Sequence, residues 1–75
     1  MAIRYYTIEG NQLSIGDKAY IIHTDARTQI SVPIPFEITV MNIHAFQYYG
    51  KYENAVLKCR ELNEQSGTAD HHSNN

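Results

Sequence analysis

The sequence holds one cysteine, two prolines, four glycines and no tryptophan in 75 residues. A lone Cys59 cannot close an internal disulfide, which excludes a stapled secreted mini-protein and fits a reducing interior. A four-cysteine zinc site is missing three of its ligands. No apolar run approaches the roughly 18 residues that a membrane-crossing helix needs. The N-terminal stretch places Arg4 where a secretory signal would begin its apolar core. Positive charge is scarce: six Lys and Arg stand against eight Asp and Glu, a net charge of -2. Proteins that coat nucleic acid carry the opposite imbalance. The glycines stand singly at positions 10, 16, 50 and 67, so there is no phosphate-cradling loop and no dinucleotide turn. Neither His-Glu-x-x-His nor Gly-x-Ser-x-Gly occurs. The expectation is a non-enzyme that needs no cofactor or metal.

What remains is one small domain. A chain this short buries a smaller share of its surface than a larger domain does, so its stability margin is thin. Burying a patch on a partner or on a second copy would widen that margin.

Residues 2–9 are rich in strand formers, with Ile3, Tyr5 and Thr7 on one face and Arg4, Tyr6 and Ile8 on the other. Gly10-Asn11 and Gly16-Asp17 read as turns on either side of Leu13 and Ile15. Residues 18–24 read as a second strand, and 25–29 as a polar loop. In the run from Ile30 to Phe36, Pro33 and Pro35 lie two apart, so their missing N–H groups fall on one edge. Such a strand pairs on one side only and belongs at a sheet border. Residues 36–43 continue the alternation and predict a long strand. Residues 44–49 extend it or form a further strand, and Gly50 ends it.

Tyr52, Ala55, Val56, Cys59 and Leu62 recur at helical spacing, which predicts a helix over 51–65 with Cys59 on its buried stripe. Glu53 in the first turn suits the helix dipole. Leu57 lies off the stripe. The segment 66–75 has one small apolar residue in ten and reads as a disordered polar tail, leaving residues 1–65 as the domain.

The titratable residues form no constellation at this level. His71 and His72 fall in the tail, while His23 and His44 fall on separate strand segments. Glu61 and Glu64, beside Lys58 and Arg60, read as a solvated helix face. Tyrosine is the outlier, with six residues. The pairs Tyr5-Tyr6 and Tyr48-Tyr49 must each send one ring to either face of a strand. An exposed tyrosine gives large, rigid contact area for a protein partner. It also offers a stacking platform for a nucleobase.

Leu13-Ser-Ile-Gly-Asp-Lys-Ala-Tyr-Ile-Ile22 resembles the first strands of small SH3-like β-barrels, where a Gly-Asp turn feeds a strand. As a whole, the chain resembles small phage or prophage accessory proteins: one slightly acidic domain, a sheet plus a helix, no catalytic motif and a polar tail. That resemblance implies a cytoplasmic protein that binds and modulates a host factor. The charge of -2 departs from the strongly acidic DNA mimics of that group.

The sequence therefore predicts an α+β fold. It comprises a small, mostly antiparallel sheet of three to five strands, with an SH3-like barrel as one form, followed by a C-terminal amphipathic helix. The expected function is a protein-binding module, with a homodimer as one outcome. Its docking face is expected at Tyr6, Ile8, Met41, Ile43 and Tyr49, or at the edge near Ile30–Phe36 on the side without the prolines. The alternative is a small nucleic-acid-binding domain using tyrosines with Arg4, Lys18, Arg27 and Lys51.

Overall fold

The computed structural model describes residues 3–73, with side chains described through residue 65. Four antiparallel strands form two small sheets, and one helix follows. Strand β1 (Tyr5–Tyr6) pairs with β2 (Gln12–Leu13), and β3 (Lys18–Thr24) pairs with β4 (Ser31–Glu37). The helix α1 spans Tyr52–Ser73. The sheets do not close into a barrel. The SH3-like closure is thus corrected, while the antiparallel α+β architecture stands.

Both short turns need glycine. Gly10 and Gly16 each sit at a φ of +95°, in the region that side chains with a Cβ avoid. The Asp17 carboxylate accepts the Ser14 N–H at 2.9 Å and fixes the second turn, which feeds β3.

The two sheets are tied together by the chain just before the helix. The Ile8 N–H donates to the Tyr48 carbonyl at 2.8 Å. Tyr49 and Tyr20 exchange two backbone bonds, of 2.9 and 2.8 Å. The peptide at 48–49 therefore lies between β1 and β3 as a one-pair strand.

Each face of the β3–β4 ribbon is covered by the chain itself. On one face Ala19, Ile21, Ile34 and Phe36 join Leu13, Ile38, Tyr48, Tyr5 and Ile43 in the core. On the other face lies α1: Tyr52 meets Tyr20 edge-on at 5.5 Å, and Asn63 reaches Ser31. A helix alone would leave one face bare, but the β1–β2 hairpin and the 38–48 segment cover it.

The expected long strand over 36–43 is shorter. Ile38 still pairs across to the Gly16-Asp17 turn, and then the chain leaves the ribbon. The cause is Asn42. Its side-chain oxygen Oδ1 accepts the Thr39 N–H, its side-chain amide donates to the Glu37 carbonyl, and its backbone N–H donates to the Thr39 hydroxyl. A side chain that satisfies its neighbours' backbone in this way competes with the ladder and bends the chain into turns. Residues 44–49 accordingly contribute one bridge rather than a strand.

The helix begins one residue after the expected start. Its backbone continues beyond residue 65 into the segment read as a tail. Once nucleated, each added helical residue gains a hydrogen bond at little cost. Asn74 and Asn75 lie outside the described residues.

Candidate functional site

The five residues expected to form a docking face do not share a sheet face, because 39–46 is a run of turns. Tyr6 on β1 and Ile8 in the turn after it are both more than half exposed. Met41 is 81% exposed on the turn beside Val40, which is nearly as open. Ile43 turns inward onto the core. Tyr49 is half-buried and contributes chiefly its backbone to β3. Of each tyrosine pair one ring faces inward, as alternation requires. Tyr5 packs on the core while Tyr6 is open, and Tyr48 is 1% exposed beside the half-buried Tyr49. The Tyr48 hydroxyl donates to the Asn42 carbonyl at 2.7 Å, and burial pushes its pKa up.

The edge near Ile30–Phe36 takes a different form from a docking strip. Tyr20 spends its backbone N–H and carbonyl on Tyr49, so the Tyr20–Pro35 pair is a non-bonded rung of the β3–β4 ladder. Ile22–Pro33 and Thr24–Ser31 share that parity. The outer edge of β4 is thus presented by Ser31, Pro33, Pro35 and Glu37. The Asn63 side chain takes both Ser31 groups, accepting its N–H at 2.8 Å and donating to its carbonyl at 3.1 Å. Asn42 donates to the Glu37 carbonyl. The two prolines offer carbonyls but no N–H. Strand addition needs alternating donors and acceptors, so this edge refuses it. The side without the prolines is taken by β3.

Cys59 is 4% exposed on the buried stripe, and burial pushes its thiol above the ordinary value, away from the thiolate a nucleophile needs. Tyr52, by contrast, is largely exposed although it begins the apolar spacing, as is Leu57.

His23 and His44 are exposed. His44 rests its ring 6.5 Å from that of Tyr5. The side chains of His71 and His72 lie outside those described. Among the described residues no group of three His, Cys, Asp or Glu is placed to hold a metal. Arg4, Lys18, Arg27 and Lys51 are all exposed. Lys18 and Arg27 lie at opposite ends of the ribbon, and Lys18 faces Glu37 across the ladder. No helix among the described residues is long and apolar enough to cross a membrane.

Two features escaped the sequence. Glu9 reaches the start of α1, where its carboxylate accepts the Gly50 N–H at 2.7 Å, the Lys51 N–H at 3.2 Å and the Asn54 amide at 2.7 Å. Burial alone would raise its pKa, but these hydrogen bonds outweigh it and lower the value from 4.5 to about 2. The second is a groove of about 290 Å³ along the free edge of β3. Ile21, Phe46 and Gln47 line one side, and Ile22, Leu62 and Lys58 the other. Both depend on contacts between distant segments, for which the local pattern carries no signal. No family model, curated protein or solved structure matches the chain.

Proposed function

We propose that the chain is a non-enzymatic protein-binding module that modulates or inhibits its partner by covering part of the partner's surface. The observation that carries this reading is the exposure of Tyr6, Ile8 and Met41, each more than half open to water on a very small domain. Large apolar and aromatic side chains kept at a surface are the usual anchors of protein interfaces. Ile43, packed on the core, and the half-buried Tyr49 take no part in this exposed set. The partner is a protein, a host factor if the likeness to phage accessory proteins holds, or a second copy of the chain. A single unpaired thiol suits the cytoplasm.

The test compares wild type with the triple variant Tyr6→Ser, Ile8→Ser, Met41→Ser. Affinity capture from source cells should recover a partner with wild type and lose it with the variant, at unchanged circular dichroism. Light scattering on pure protein reports a homodimer directly. A variant that captures the same partner equally well, and matches wild type in mass, would overturn the reading.

A further inference from the structure

We infer that the free edge of β3 at Ile22 and Thr24 is a docking site for an extended polypeptide strand of a partner protein, one carrying two consecutive apolar side chains. The inference deepens the protein-binding reading and rests on it, but it uses a different surface from Tyr6, Ile8 and Met41.

The argument begins with where backbone groups point. Ile22 and Thr24 share the parity of Tyr20, so their N–H groups face away from β4. Tyr20 meets its bonding partner on that side in Tyr49. Continuing that antiparallel register would set Gln47 opposite Ile22 and Ala45 opposite Thr24. The chain does not continue it. The Ala45 N–H donates to the Asn42 carbonyl instead, inside the turns that Asn42 organises. Among the described residues nothing pairs with the Ile22 N–H and carbonyl or with the Thr24 N–H. The groove opens where the 46–47 segment peels away from β3.

An open strand edge with donors and acceptors in alternation is complementary to one thing, another extended backbone. The lining sets the side chains. Successive residues of an added strand point to opposite faces. One would enter between Ile21 and Phe46 on the core side, the next beside Ile22 and Leu62 under the helix. Each wall pairs apolar side chains with one polar residue, Ile21 and Phe46 with Gln47, Ile22 and Leu62 with Lys58. The apolar part of each favours an apolar residue, so the incoming strand needs two of them adjacent rather than alternating. A second copy fits poorly. If two β3 edges paired about His23, residue 26 of the partner's hairpin turn would fall opposite Tyr20, where Tyr49 already sits.

The test uses a random octapeptide library displayed on messenger RNA and selected against the whole chain, followed by amide exchange. In the free protein the Ile22 and Thr24 amides should exchange at least tenfold faster than those of Ile21 and His23, which bond to β4. Selected peptides should share an adjacent apolar pair and slow Ile22 and Thr24 about tenfold or more. N-methylation of the peptide at its pairing residues should weaken binding by about tenfold. This control leaves the protein unaltered, so misfolding cannot mimic the result. The Tyr6, Ile8, Met41 triple variant should bind these peptides like wild type. Slow exchange of Ile22 in the free chain, no enrichment, enriched peptides that leave Ile22 and Thr24 unchanged, or indifference to N-methylation would each overturn the edge site and leave the Tyr6 surface standing. Loss of the peptides by the triple variant would assign them to that surface instead.

Discussion

The Glu9 carboxylate receives the Gly50 and Lys51 N–H groups and the Asn54 amide, and so serves as a cap for α1 supplied from a distant part of the chain. Glu9→Gln keeps the shape but removes the charge facing the helix N-terminus, and should cost about 1 kcal/mol at neutral pH. The pKa of about 2 in the fold lies below the ordinary 4.5. A depressed carboxylate stabilises fully above its unfolded value, and that stability drains away as pH falls from about 4.5 toward 2. The gap between wild type and Glu9→Gln in urea titrations should therefore be widest at neutral pH and close in acid. A gap that stays constant would mean that the charge contributes nothing. Cys59 gives a simpler test at the same scale. Buried and with its thiol pushed up, it should resist a disulfide reagent in native buffer and react promptly in urea. Prompt native labelling would show that the helix stripe faces outward.

At the level of elements, the β4 strand owes its isolation to Asn63 and the two prolines. Asn63→Ala would leave the Ser31 N–H and carbonyl without their partners, at a cost of about 1–3 kcal/mol. The Ser31 amide should then exchange faster while Ile34 is unaffected. Replacing Pro33 and Pro35 together by valine restores two outward donors, and should raise the tendency to aggregate on standing, read by light scattering. Some of this was legible in the sequence. The reading of 18–24 as a strand matches β3 to its end residues, and the proline spacing marked β4 as a border strand. Tyr, Ala, Val and Cys at helical spacing marked α1. The 36–43 segment misled because Thr39, Val40 and Met41 alternate like a strand. Asn42 decides otherwise through bonds to Thr39 and Glu37 that periodicity does not register. The apolar pattern likewise gave no hint that the hairpin and the 38–48 segment would cover the second ribbon face. Hence Ile43, expected outside, lies against the core.

For the molecule as a whole, the two small sheets cannot stand apart. Two-stranded pairs are marginal by themselves. Here they share Tyr48, Ile38 and Leu13 in one core, and the 48–49 peptide bonds to both. Unfolding should therefore be a single transition, with tyrosine fluorescence and far-ultraviolet dichroism coincident. Ile38 is fully buried, and Ile38→Ala should cost about 2–5 kcal/mol with both probes shifting together. Separate transitions would show that the sheets fold independently. The bareness of β4 in backbone donors has a further consequence, for stoichiometry. A ribbon open along both borders has a valence of two and can grow into a filament by repeating one contact. Along β4 only the Glu37 N–H is left as an outward donor among the described residues, too few for a ladder, so the valence of this ribbon is one. Whatever strand seats there ends the chain of contacts, and pairing through this ribbon stops at a closed complex, whatever the concentration.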